Sequence, residues 1–189
     1  MKSPYSFVIS PKGGVRYNNT SKHGDGKLIT SSSIEDHKTA NRFGVIKELP
    51  IVKEYSGKIK IGDIVVVHHN IFKKYYDMKG REMSGPCHFK DDLYLVDIDQ
   101  MYLCHDGKKW NPVGDYCFVR PLEKENEIIL TKEKNKELTG ELVYGNPKLN
   151  ELGVRVGDEI CFTPESEYEF EIEGETLYRM KTRDICVLI

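Results

Sequence analysis

Three doublets of metal-binding type stand in the first part of the chain: His68-His69, Cys87-His88 and Cys104-His105. Thiolate and imidazole are the side chains that hold zinc, and a closed structural site takes four of them. The spacing fits no standard finger, and adjacent residues on a strand point to opposite faces. His68, Cys87, His88, Cys104 and His105 are therefore the metal candidates, but the preferred reading is unrelated buried thiols and surface imidazoles, with no metal and no cofactor. Asp97 and Asp99 stand two apart, so on a strand they would share a face, as acid–base work by paired carboxylates requires. No pocket is evident around them. Lys12-Gly13-Gly14 is too short for a phosphate-cradling loop. Ile71-Phe72-Lys73-Lys74-Tyr75-Tyr76-Asp77-Met78-Lys79-Gly80-Arg81 mixes cations with rings, which could meet phosphates and bases. An ordered insertion that packs on a neighbouring subunit is the reading preferred to nucleic acid.

The elements that must carry these residues are short strands. Between Pro164 and Glu175 a glutamate stands at every second position: Glu165, Glu167, Glu169, Glu171, Glu173 and Glu175. Side chains on a strand alternate faces, so this row is expected to face water while Tyr168, Phe170 and Ile172 face a core. Gly174 allows a tight turn, and the chain then returns from Leu177 as further strand. No segment shows convincing helical periodicity.

The chain has 189 residues, 39% hydrophobic and 31% charged, enough apolar content for one domain or two small ones. No apolar run reaches the roughly 20 residues of a membrane span, and MKSPYSFVISPKGG lacks the apolar stretch of a secretory leader. The five cysteines (Cys87, Cys104, Cys117, Cys161 and Cys186) have no framework spacing, so reduced thiols in a cytoplasmic compartment are expected. The net charge of −2 conceals an asymmetry: residues 1–112 carry 18 basic and 13 acidic residues, and residues 113–189 carry 10 and 17. Opposite charges of this kind can attract within a chain or between copies, but say little about fold.

Two stretches echo each other. Lys58-Ile59-Lys60-Ile61-Gly62-Asp63-Ile64-Val65-Val66-Val67 resembles Gly153-Val154-Arg155-Val156-Gly157-Asp158-Glu159-Ile160-Cys161-Phe162. In each, glycine permits a left-handed turn and aspartate can bond nearby backbone N–H groups. Upstream, Tyr5-Ser6-Phe7-Val8-Ile9-Ser10-Pro11 echoes Tyr116-Cys117-Phe118-Val119-Arg120-Pro121-Leu122. Downstream, Leu93-Tyr94-Leu95-Val96-Asp97 echoes Leu177-Tyr178-Arg179-Met180-Lys181. Three echoes in one order predict a duplicated β-domain, residues 1–112 and 113–189, with long irregular segments at 11–41 and 69–90.

Residues 115–189 resemble the GroES-like co-chaperonin family. Asp115 to Pro121 is similar to the family's first strand. Glu127-Ile128-Ile129-Leu130-Thr131 is similar to the apolar tripeptide of its mobile loop. Leu138-Thr139-Gly140-Glu141-Leu142-Val143-Tyr144-Gly145 is similar to the strand after that loop. Val154-Arg155-Val156-Gly157-Asp158 is similar to its Val-Gly-Asp turn, Phe170 to Glu175 to the hairpin that follows, and Arg183-Asp184-Ile185-Cys186-Val187-Leu188 to its closing strand. The first copy matches more loosely, with Gly24-Asp25-Gly26-Lys27-Leu28-Ile29-Thr30 as the loop and Phe43-Gly44-Val45-Ile46 as the returning strand.

The resemblance implies an all-β chain of two tandem GroES-like small β-barrels, with long loop insertions in the first. It implies binding rather than catalysis: a homo-oligomeric ring that caps a chaperonin and assists protein folding. Ile128, Ile129 and Leu130, with Leu28 and Ile29, would dock on the chaperonin. Terminal strands that pair across subunits make Tyr5, Phe7, Val8, Ile185, Val187 and Ile189 the interface candidates. The alternative is the same fold used as a structural building block, for example in a virus particle, where the partners would be neighbouring subunits.

Overall fold

Short runs of β-branched and aromatic residues, punctuated by Gly-Asp turns, become strands along the whole chain. The computed structural model describes residues 2–18, 20–23, 26–29, 39–53, 58–123 and 135–189, in two units, Met1–Lys109 and Trp110–Ile189. The first unit contains β1 (Phe7–Pro11), β2 (Thr20–His23), β3 (Gly26–Ile29), β4 (Phe43–Glu48), β5 (Ile64–Val67), β6 (Lys74–Tyr76), β7 (Glu82–Ser84), β8 (His88–Lys90), β9 (Leu93–Val96) and β10 (Met101–His105). The second contains β11 (Trp110–Pro112), β12 (Tyr116–Glu123), β13 (Asn135–Tyr144), the helical turn α1 (Pro147–Glu151), β14 (Glu159–Phe162), β15 (Tyr168–Ile172), β16 (Glu175–Lys181) and β17 (Ile185–Leu188).

Strand order is the same in both units. The first unit's own strands run β10-β5-β4-β1-β9-β8 within their sheet, and the second unit's β17-β14-β13-β12-β16-β15. The agreement extends to single hydrogen bonds. Gly62 N–H donates to the Ile46 carbonyl and Ile46 N–H to the Asp63 carbonyl; Gly157, Leu142 and Asp158 repeat both bonds. Asp63 Oδ2 accepts the Lys60 N–H at 2.8 Å, and Asp158 Oδ2 the Arg155 N–H at 2.7 Å. Gln100 Oε1 accepts the Asp97 N–H, and Asp184 Oδ2 the Lys181 N–H, before β10 and β17 respectively. Each of those last strands then carries a bulge at one place, Met101/Leu103 against β5 and Ile185/Val187 against β14.

The register corrects one expected echo. Pro11 faces Gly44 and Pro121 faces Gly140, so Ile9 matches Val119, and Phe7 matches Cys117 rather than Phe118. The tyrosine-led alignment matched similar letters one position out. A one-residue slip would turn every side chain of the strand to the wrong face.

The cores follow from these pairings. In the first unit Phe7, Ile9, Ile46, Val65, Val66, Val67, Tyr94, Met101 and Leu103 are fully buried. In the second, Cys117, Val119, Leu142, Leu149, Val154, Ile160, Phe162 and Met180 form one cluster, with Leu138, Tyr178 and Ile185 packed on it. Each large apolar side chain fully withdrawn from water stabilises by about 1.5–3 kcal/mol before conformational entropy is charged against it. The glutamate hairpin behaves as its alternation requires: Phe170 and Ile172 are buried, Glu169 and Glu171 exposed. Its turn uses Glu173 (φ 54°) and Gly174 (φ 85°), the two left-handed residues of a tight hairpin loop.

Helix was not expected, and α1 is the exception. Asn146 is buried; its Oδ1 accepts the Leu149 N–H, and its Nδ2 donates to the Tyr116 carbonyl and Thr182 Oγ1. Pro147 follows at the first helical position, where its missing N–H costs nothing. An Asn-Pro pair carries this signal, but five residues are too few for periodicity to reveal.

Two glycines set the closest strand approaches. A Cβ at Gly140 would lie 2.3 Å from Val119 Cγ1 and 2.6 Å from the Arg120 carbonyl oxygen, whereas one at Gly44 would meet the tip of Ile9, Cδ1, at 2.8 Å. Backbone cannot yield as a side-chain tip can. Gly140→Ala is expected to cost about 3 kcal/mol and Gly44→Ala about 1 kcal/mol, read as urea midpoints at unchanged slope.

Cys104 and Cys117 are buried free thiols. Burial, then the Asp63 carboxylate beside it, pushes Cys104 up to about 12. Burial, then Asp184, pushes Cys117 up to about 12. The stability held in these neutral thiols is fully present below the ordinary value of 9.0 and is lost as pH rises from there toward about 12. At pH 8 a disulfide reagent is expected to label exposed Cys186 in the native protein, and Cys104 and Cys117 only after denaturant is added.

Candidate functional site

The recognition residues expected from the sequence lie on two segments, one per unit, that leave the barrels at matching points. In each unit the segment departs after the strand that carries Pro11 or Pro121 and returns to the strand that carries Gly44 or Gly140. The second departs with β12 and β13 still paired out to Glu123 and Asn135. Ile128, Ile129 and Leu130 lie outside the described residues. The first is built differently. Asn41 N–H donates to the Arg16 carbonyl, Tyr17 bridges Ala40, and Asn18 N–H donates to the Thr39 carbonyl at 2.7 Å. Beyond this stem β2 and β3 pair as a separate ribbon in which Leu28 faces Ser21 and Ile29 faces Thr20 along the backbone.

Asn41 locks the root of that stem. It is 2% exposed, and its Nδ2 donates to the Lys12 and Val15 carbonyls while its Oδ1 accepts the Phe43 N–H. Buried amides are affordable when their hydrogen-bonding capacity is met in this way. Nothing in the sequence around Asn41 distinguishes it from a surface turn residue.

The interface candidates separate into two groups. Tyr5, Val187 and Ile189 are exposed, at 60%, 55% and 68%, and Ile185 is half-buried against the core. Phe7 and Val8 are core: they are 0% and 2% exposed, and β1 is paired on both sides, with β4 and β9. Their side chains cannot meet another subunit, because the strand that carries them is central. Strand β17 lies at an end of its sheet, and Leu188, not anticipated, is 49% exposed on it.

The metal candidates do not converge. Among the described residues, no group of three or more His, Cys, Asp or Glu could hold an ion. His68 Nδ1 accepts the Asn70 N–H, His88 Nε2 donates to the Asp91 carbonyl, His105 Nδ1 accepts the Gly107 N–H, and the Cys104 thiol donates to Asp63. Cys87 stands beside Gln100 in an open cavity of ≈ 500 Å³, also lined by His68, Lys74, Gly85 and Tyr102. Asp97 and Asp99 are not on a strand; Asp97 opens a short helical turn and accepts the Ser6 hydroxyl at 2.8 Å. The basic, aromatic stretch supplies β6 and the turn that leads to β7, with Lys74 paired to Glu82, Arg81 to Asp77, and Tyr75, Tyr76 and Met78 exposed. The glutamate row is not uniformly free: Glu173 accepts the Trp110 indole N–H at 3.0 Å, and Glu175 shares Arg120 with Glu141.

In sequence, the expected apolar residues fall on the segments between β1 and β4 and between β12 and β13. Residues 109–189 match the family described as Chaperonin 10 Kd subunit. A co-chaperonin GroES of Methylorubrum populi is 35% identical over 93 residues, covering 43% of this chain and 97% of the relative. One of Rickettsia typhi is 33% identical over 92 residues, covering 42% and 97%. One of Bartonella bacilliformis is 38% identical over 93 residues, covering 43% and 95%. Almost the whole of each relative is thus found again in less than half of this chain, and on that ground the chain belongs to the GroES-like co-chaperonin family.

Proposed function

We propose that the protein is a non-enzymatic, cytoplasmic co-chaperonin-like protein that forms a ring and binds a chaperonin through its apolar segments. The observation that carries this reading is the match of the second unit to nearly the full length of proteins named co-chaperonin GroES. The Ile128-Ile129-Leu130 run lies between β12 and β13, the position of the family's docking loop. The shared strand order supports taking the first unit as a second GroES-like barrel, with Leu28 and Ile29 on the corresponding segment. A segment that orders on docking gives modest affinity per site, and a ring multiplies the number of sites into a strong but reversible grip. The end strand β17, with exposed Val187, Leu188 and Ile189, offers a sheet edge that a neighbouring subunit would cover.

Size-exclusion chromatography with light scattering, with and without a chaperonin and nucleotide, tests this. The wild type is expected to run as an oligomer and co-elute with the chaperonin. Ile129→Asp is expected to keep the oligomer and lose co-elution. An assembly of wild-type chains indifferent to chaperonin would overturn the reading and leave the fold as a structural building block.

A further inference from the structure

The insertion at residues 69–90 has no counterpart in the second unit, where only residues 163–167 separate β14 from β15. In the first unit it is tied to the stem of the β2–β3 ribbon. Arg16 reaches across with Nε to the Phe72 carbonyl at 2.8 Å and with Nη1 to Ser84 Oγ at 3.0 Å. Its guanidinium lies over the ring of fully buried Tyr94, 5.5 Å from the centroid. The next residue, Tyr17, accepts the Lys74 N–H on its hydroxyl at 2.6 Å. Two consecutive side chains therefore grip the insertion where it leaves the barrel, at Phe72 and Lys74, and where it returns, at Ser84.

The same two residues are the stem. The backbone of Arg16 accepts from Asn41, Tyr17 bridges Ala40, and β2 begins three residues further on. The neck of the insertion is held closed as well: a Cβ at Gly85 would come within 3.1 Å of the Asn70 carbonyl oxygen. A guanidinium that donates in two fixed directions fixes orientation as well as contact.

From this geometry we infer that Arg16 and Tyr17 are positioning residues, through which the 69–90 insertion sets the direction in which the β2–β3 ribbon leaves the first barrel. The second unit's segment leaves from the β12–β13 pair itself, whose register shifts between Pro121 and Glu123, so the two recognition segments of one chain are presented differently. The functional consequence, a pre-oriented Leu28–Ile29 docking element, rests on the co-chaperonin reading; the clamp itself does not. Pre-orientation lowers the ordering cost of docking.

Hydrogen exchange of the full chain, followed by mass spectrometry, tests the clamp with Tyr17→Phe, Ser84→Ala and Arg16→Ala. The first two remove only a hydroxyl, so they decide the matter if Arg16→Ala does not fold. Peptides across Thr20–His23 and Gly26–Ile29 are expected to exchange about tenfold faster, with Phe7–Pro11 and Ile64–Val67 unchanged. Unchanged exchange in the ribbon, or an equal rise in the core strands, overturns the inference. If the wild type binds a chaperonin, the same variants are expected to bind several-fold more weakly, and undiminished binding counts against the inference. If the wild type binds none, the co-chaperonin reading falls and the exchange pattern still decides the clamp.

Discussion

The second unit turns on one steric constraint: β13 must pass β12 with no side chain between them at Gly140. With Val119 and the Arg120 carbonyl so near that position, any larger residue would force the central strand pair apart. Every other feature of the unit hangs from that pair. β16 and β14 flank it, β15 and β17 close the ends, and the segment that carries Ile128, Ile129 and Leu130 is its connection. The first unit meets the same constraint at Gly44, but against a side-chain tip that can give. The contact is tighter in the half that carries the family likeness.

The likeness between the halves shows best in strand order and in matching hydrogen bonds. Carboxylate oxygens of Asp63 and Asp158 perform the same turn-closing role. Ahead of the last strand, however, an amide at Gln100 in one unit does the work of a carboxylate at Asp184 in the other. Either oxygen accepts the same N–H, so geometry is preserved while the letter changes. The loops of the two units differ more than the sheets do, as expected of surface segments that do not carry the core. The 69–90 insertion is the extreme case, since it has its own ribbon and its own anchor.

Much of the sheet architecture was legible in the sequence because strand periodicity and turn chemistry are local. The Gly-Asp turns and the glutamate hairpin could be read this way, whereas the returning strand at Phe43 came from the resemblance to the family. The slip between Phe7 and Cys117 shows the limit: similar apolar letters at neighbouring positions satisfy an alignment equally well, and only pairing across strands decides register. Phe7 and Val8 were misplaced for a related reason, because being first in the chain does not put a strand at the edge of its sheet. Arg16, Tyr17 and Asn41 were not legible at all. Apart from Phe43 beside Asn41, their side-chain hydrogen-bond partners lie from 26 to 68 positions away, and nothing in a local window marks an arginine as a tether.

Trp110 is the only tryptophan of the chain. It lies at the start of the second unit, 8% exposed, with its indole N–H held by Glu173 in the turn of the β15–β16 hairpin. Its emission is therefore a built-in optical gauge of that hairpin. Loosening of the hairpin would free the indole to water and shift its colour. Tryptophan emission has no other source in this sequence, so a shift in its colour reads that one place in the fold without any label.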